Sequence, residues 1–386
     1  MTERRSSYDA VIIGGGLIGL ACAWRAARRG LDVRVLERRR PGAGASGVAA
    51  GMLAPAGEAS WGEDALLGLG LASLEQWPGF AAELEAESGE RAGYARPGAL
   101  HVALDRDEAE ALRRRHDLHR QLGLDSEWLR PSGCRRLEPG LATSVAAGLH
   151  VPGEGVADPV AATAALLSAL ARLGVPVDEG ADVTGLELGS GGCEVVLADG
   201  GRVAAGRVLV AAGAWSGAAP WLPPADRPPV RPVKGEILTL RSRDGEAACE
   251  RIVAGERVYL VPREDGRLIV GATMEERGFD TTVTAGGVHE LLREAYRVLP
   301  EVAELELVET GAGLRPGTPD NAPVIGPGSD PRLVFATGHH RNGVLLAPVT
   351  AEAVSALLAA AEPHVDLSPF SPGRFARAAS AQAVAR

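Results

Sequence analysis

Three glycines, an acid, two arginines and a tyrosine carry most of the chemical potential of this 386-residue chain. Gly14, Gly16 and Gly19 form G-x-G-x-x-G between an apolar run over 10–13 and a helical pattern over 17–29 that stops at Gly30. A second strand pattern, 32–36, then delivers Glu37. Gly14 permits a tight turn, Gly16 lets a pyrophosphate approach the backbone, and Gly19 lets the helix lie close on the strand. The exposed amides at the helix N-terminus favour phosphate charge. Glu37 can accept hydrogen bonds from ribose hydroxyls. Strand, helix, second strand and acid in that order predict a dinucleotide site.

The loop after Glu37, from Pro41 to Met52, is built mostly of Gly and Ala, too small to form a core. It suits backbone lying against a flat ligand. There is one fingerprint and no second one for a nicotinamide, so the long loop points to FAD, with flavin supplying the redox chemistry. Arg315 sits in Gly311-Ala-Gly-Leu-Arg-Pro-Gly-Thr-Pro-Asp320. A guanidinium there serves either bidentate carboxylate recognition or an ion pair that holds the loop. Gly338-His-His-Arg341-Asn-Gly-Val-Leu-Leu-Ala-Pro348 should join the last buried strand to the last helix. A helix start at Gly343 and Val344 would aim partial positive charge at the pyrimidine edge of a flavin, and Arg341 is a second carboxylate contact. His339 and His340 are adjacent, which is not metal-ligand spacing, so no metal is expected. Alternation puts Tyr259 on one strand face with Arg257, Val261 and Arg263, opposite Val258 and Leu260. Its hydroxyl either enters a pocket or belongs to the core. Met274 reads by default as a gap-filling core residue.

Bulk properties narrow the setting. The length allows two domains. A net charge of −10 argues against nucleic acid or an anionic membrane. The arginine runs at 38–40 and 113–115 read as solvated surface. Four scattered cysteines, with no C-x-x-C, give no redox or thiolate metal site and fit a reducing compartment. Arg4-Arg5-Ser6-Ser7 before an apolar run resembles an export signal, but cleavage after it would destroy the fingerprint, so a cytoplasmic protein is expected. No stretch is long and apolar enough to span a bilayer.

Around the chemistry, the pattern gives helices over 65–87, 106–122, 131–141, 158–172, 288–299 and 344–360. It gives strands over 96–104, 176–178, 182–188, 257–263, 267–272 and 333–337, a hairpin over 194–204, and a separate apolar strand, 207–212, running into Gly213. Segment 311–323 reads as a loop. The fold expected is α/β: a doubly wound, Rossmann-like FAD-binding domain with a second, antiparallel-sheet α+β substrate domain. The first takes 1–84, 146–225 and 311–386; the second takes 85–145 and 226–310.

The fingerprint with Glu37, Ala49-Ala-Gly-Met52, Val233-Lys-Gly-Glu236, Tyr259-Leu-Val-Pro-Arg263, Gly313-Leu-Arg-Pro-Gly-Thr318 and the 338–348 loop together resemble the D-amino-acid oxidase superfamily, and within it the thiazole-pathway glycine oxidases. The resemblance implies noncovalent FAD, because no cysteine lies near Arg315 where sarcosine oxidases attach theirs. It implies that Arg315 binds the substrate carboxylate, that Arg341 and Tyr259 assist, and that Met52 and Met274 face the substrate. It places Leu17, Ile18, Glu37, Arg38, Ala45, Ser46, Ala50, Gly51, Met52, Val183 and the loop of His339, His340, Arg341, Asn342, Gly343, Val344 and Leu345 against FAD. Arg257 stands where some relatives carry histidine, which bears on the pocket mouth and the substrate range. The activity implied is oxidation of glycine by hydride transfer from Cα to flavin N5, with O₂ giving H₂O₂ and the imino acid feeding the thiamine thiazole ring. A homo-oligomer, often a tetramer, goes with it. A D-amino-acid or sarcosine oxidase, a quinone-linked dehydrogenase and a non-catalytic flavin scaffold are the alternatives.

Overall fold

The computed structural model describes residues 7–375. Arg4-Arg5-Ser6 of the signal-like segment, and 376–386 of the expected FAD-binding stretch, lie outside the described residues. The chain is mixed α/β, as expected, with two large sheets and one small one.

The first sheet grows from the apolar strand Tyr8–Ile13, which pairs in parallel with Val33–Glu37 on one side and Arg202–Val210 on the other. Val177–Glu179 and Leu333–Thr337 extend the parallel set outward. Ala10 and Ile12 face a layer made by helices Leu17–Arg28, Asp64–Ser88, Pro159–Arg172 and Ala347–Leu358. Val11 and Ile13 face the other way, onto Val195, Val203, Leu222 and Phe335. This two-sided burial is why these strands read as unbroken apolar runs. Asp158 caps its helix by accepting from the Val160 and Ala161 amides, with Pro159 in the first turn.

The second sheet runs Glu306–Gly317, Arg231–Arg241, Arg267–Gly271, Tyr259–Pro262, Ile252–Ala254, Ala99–Ala103, Ala147–Val151, Glu127–Leu129. One face packs Leu100, Leu238, Leu260 and Val270 against helix Ala285–Val298 through Leu291 and Ala295. Met52–Leu53, Gly155–Ala157 and Tyr94–Ala95 form the small sheet between the two.

Several local expectations are corrected. Segment 311–323 is not all loop: Glu306–Gly317 is a strand paired along its length with Arg231–Arg241. Its glycines answer close packing, since a Cβ at Gly313 would run into Val48. The hairpin strand and the 207–212 strand are one element, Arg202–Val210, whose first half pairs with Gly192–Leu197 and whose second half pairs with Leu333–Thr337. The last helix begins at Ala347, not at Gly343 or Val344. Pro348 has no amide hydrogen and fits only the first turn of a helix. Ala147–Val151 and Glu306–Gly317 belong to the second sheet, so the dividing lines drawn at 146 and 311 cut through it.

Candidate active site

Both halves of the chemistry open onto one cavity of about 790 Å³ between the sheets. At one end lies the glycine turn. Gly14 has φ +113°, and a Cβ there would lie 2.7 Å from the Ala211 carbonyl carbon. A Cβ on Gly19 would overlap the Gly14 carbonyl oxygen, so Gly19 holds helix to strand and does not line the cavity. Gly16 is different: its nearest neighbour would be Ser46 Oγ at 3.4 Å. No packing demands glycine there, which leaves open backbone facing the cavity. The Glu37 carboxylate accepts from the Gly15 amide at 2.7 Å and the Arg39 amide at 2.8 Å. Ser46 Oγ accepts from the Leu17 amide at 3.0 Å. Arg38 stacks over Trp215, 4.7 Å from the ring centre, and Trp215 in turn stacks on Phe279 of the loop between strand Arg267–Gly271 and helix Ala285–Val298.

The middle of the cavity is walled by Ala45, Val48, Ala50, Gly51 and Met52. Ala50 is anchored from the second sheet, its carbonyl accepting from Arg263 Nη2 at 2.6 Å, while Arg263 lies 3.6 Å from Asp158.

At the far end stands Arg315. Its Nη1 donates to the carbonyls of Thr273 at 3.1 Å and Lys234 at 3.3 Å. It makes no ion pair with any described carboxylate. The structural ion pair open on sequence grounds is therefore not formed. Tyr259 lies beside it, its ring filling the space a side chain at Gly271 would need. Burial pushes its phenol above the ordinary value, against the pull of Arg315. Alternation holds in part: Leu260 lies in the core behind and Tyr259 and Arg257 on the cavity, while Val258 belongs to the core and also lines the cavity. Behind Arg315, on the opposite face of its partner strand, Lys234 Nζ pairs with Glu236 at 2.8 Å, the two side chains 1% and 0% exposed.

The 338–346 turn closes the same end. His340 (φ +47°) donates its amide to the Pro316 carbonyl. His339 is buried against Thr350 at 3.1 Å, and burial lowers its pKa to about 3; burial and Arg341 lower His340 to about 4. Both rings are neutral near pH 7. Arg341 touches Met274 Sδ at 3.2 Å. Met274 is 60% exposed, not a core filler: its strand has ended at Gly271, and it lies on a loop between this cavity and a second one.

Of the residues expected to contact cofactor or substrate, Gly14, Gly16, Leu17, Ile18, Glu37, Arg38, Ala45, Ser46, Ala50, Gly51, Met52, Val183, Gly213, Tyr259, Met274, Arg315, His339, His340, Arg341, Gly343 and Val344 line the cavity. Asn342 and Leu345 line the second cavity instead, and the Leu345 carbonyl accepts from Ser73 and Trp77. Sequence reasoning missed Glu58, His101, Arg115 and Trp215. Arg115 was expected on solvated surface; it shares the inward face of helix Arg106–Leu122 with Leu112 and His119, a spacing that could have found it. No group of His, Cys, Asp and Glu among the described residues is placed to hold a metal. All four cysteines are free and none lines the cavity. No described helix is long and apolar enough to cross a membrane.

The residues present fit FAD. The open backbone at Gly16, the acid at the end of the second strand and a cavity continuous from Glu37 to Arg315 accommodate a dinucleotide with a flat ring. A family model described as FAD dependent oxidoreductase matches residues 9–357. Glycine oxidase from Geobacillus kaustophilus is 36% identical over 376 residues, 96% of this chain and 97% of that protein. Its crystal structure superposes with a TM-score of 0.89 at 35% identity, covering 95% of this chain and 99% of that one. Glycine oxidase from Bacillus cereus superposes at 0.85, 31% identical over 93% and 97% of the two chains. A bifunctional protein ThiO/ThiG from Synechocystis is 36% identical, and the match spans 96% of this chain and 54% of that protein.

Proposed function

Because the chain belongs to the FAD dependent oxidoreductase family, we propose that it oxidises glycine to the imino acid at the Arg315 end of its large cavity. When bound, FAD supplies the hydride acceptor for the substrate Cα–H and passes the electrons to O₂ as H₂O₂. The observation that carries this reading is Arg315: a guanidinium facing the cavity, held by two carbonyls and without a carboxylate.

The chain's residues divide the work as follows. Gly14, Gly16, Leu17 and Ile18 present backbone to the pyrophosphate, and Glu37 accepts from the ribose. Ala45, Ser46, Ala50, Gly51, Met52, Val183 and Gly213 line the rest of the cofactor's path, with His339, His340, Gly343 and Val344 at the ring end. The motif resemblance goes with FAD held without a covalent bond, and none of the four cysteines lines the cavity. Arg315 grips the substrate carboxylate through its planar fork. Tyr259, whose phenol burial holds above its ordinary value, donates to the same carboxylate, and Arg341 adds a second positive charge. Met52 and Met274 line the cavity on the substrate side. Catalysis by these groups is orientation and electrostatics. Residues 1–84, 146–225 and 311–386 hold the cofactor and 85–145 and 226–310 frame the substrate, with two cofactor-side strands built into the second sheet. A cytoplasmic homo-oligomer without nucleic-acid or membrane partners is the setting. Supply of the imino acid to thiamine thiazole synthesis rests on the motif resemblance and the likeness to ThiO/ThiG proteins.

Arg315→Ala tests the assignment. A charge-assisted hydrogen bond is worth about 1.5–3 kcal/mol, so glycine kcat/KM should fall at least about tenfold with FAD still bound. An unchanged kcat/KM removes Arg315 from the site.

A further inference from the structure

We propose that Glu58 recognises the substrate's amino nitrogen, and so makes the site selective for a carboxylate that carries an amine. The inference rests on the amino-acid reading above and names a second point of attachment for the same substrate.

Four carboxylates line the large cavity: Glu37, Glu58, Asp182 and Glu256. Glu37 is engaged by the backbone amides of Gly15 and Arg39, and Asp182 is the neighbour of Val183. Glu58 is within electrostatic reach of both Tyr259 and Arg341. It lines both cavities, at the wall they share with Met274, His340 and Arg341. Its carboxylate makes no hydrogen bond or ion pair with a described residue. The surrounding protein raises its carboxyl above the ordinary value, against the pull of Arg341, His101 and Arg115.

The turn that carries Glu58 is fixed from two sides. Glu154, 1% exposed, accepts the Gly57 amide, and its other oxygen lies 3.5 Å from His101 Nε2. A Cβ on Gly57 would come within 2.8 Å of Glu154 Oε1. The neighbouring Ala56 carbonyl accepts from buried His119 at 2.8 Å. Glu58 is therefore presented to the cavity by a pinned backbone, unlike an acid on a free surface loop.

Charge decides the role. Arg315 and Arg341 suit a carboxylate but repel the ammonium of a zwitterion. A carboxylate facing them supplies the missing acceptor for N–H donors. Attachment of the substrate at both carboxylate and nitrogen fixes the rotation about their common carbon, which orients its C–H bonds.

The test compares glycine with acetate, which has the carboxylate and lacks the amine, on the holoenzyme and on Glu58→Gln. Acetate binding is read from the flavin spectrum. Glycine kcat/KM should fall about tenfold or more, while acetate affinity holds or improves and FAD content is unchanged. Unchanged glycine kcat/KM, or equal losses for glycine and acetate, would overturn the proposal. Should Glu58→Gln fail to accumulate, Glu58→Asp retracts the carboxylate by one methylene and must show the same selective loss. Wild-type protein that no amine reduces defeats the glycine reading itself; wild-type that glycine reduces, beside a fully active Glu58→Gln, defeats only the role of Glu58.

Discussion

The guanidinium of Arg315 occupies the space that a side chain at Gly235 would fill: a Cβ there would lie 2.5 Å from Cζ. The two residues sit on paired strands, Gly235 opposite Gly313 and Arg315 opposite Val233. Arg315 thus reaches along its neighbour strand, across a backbone left bare, to the Lys234 and Thr273 carbonyls. The seat is part of the sheet, and its rigidity is that of the strand pairing.

Gly235→Ala should therefore mimic loss of Arg315 without touching its charge. The methyl group forces the guanidinium out of its seat, and glycine kcat/KM should drop about tenfold or more, the worth of one charge-assisted hydrogen bond. FAD content should not change, because Gly235 lies on the second sheet, whereas the glycine turn follows a strand of the first. Steady-state kinetics beside the flavin spectrum check both halves. Wild-type kcat/KM in this variant would mean that Arg315 acts elsewhere.

Glu37→Ala addresses the opposite end. The carboxylate accepts from the Gly15 amide of the turn it faces and from the Arg39 amide just after it, so its removal loosens the turn as well as the ribose contact. Loss of hydrogen bonds to a charged acceptor, about 1.5–3 kcal/mol each, should weaken FAD retention at least about tenfold. The ranking of glycine, sarcosine and D-alanine as substrates should stay the same. Dialysis against FAD-free buffer with residual absorbance measures the first, and a substrate panel on reconstituted protein the second.

Acid should destabilise the fold through His339. Its folded pKa is depressed by burial to about 3, below the ordinary 6.5, so the unfolded chain binds the proton first as pH falls. Stability attributable to this ring is present above pH 6.5 and is lost on acidification toward pH 3. Between pH 7.5 and 5 the loss is about 2 kcal/mol. Urea unfolding at the two pH values should show that increment in the wild type and a smaller one in His339→Gln. Equal increments would assign the acid sensitivity to other groups.

The glycine turn, the following helix and the acid were legible because each rests on local signals: an apolar run, a glycine at positive φ and a short connection. Asp158 with Pro159 was legible for the same reason. The strand Arg231–Arg241 was not, since Lys234 and Glu236 look like surface residues until they pair with each other beneath helix Ala285–Val298. Glycines at 311 and 313 mimic a loop, and only the approach of Val48 from a distant segment explains them. Arg315, Arg341 and Tyr259 were picked by type and motif, and the structure brings all three to one cavity. Glu58 joins them through Glu154, His101 and His119, three residues from separate elements, which no local pattern announces.

The most direct test is to add glycine, without oxygen, to the purified protein and watch the flavin absorbance. A yellow protein that bleaches with glycine, and on admission of air recovers its colour with release of H₂O₂, is the predicted result. A colourless protein that takes up no FAD, or a yellow one that glycine leaves unbleached, would contradict the account.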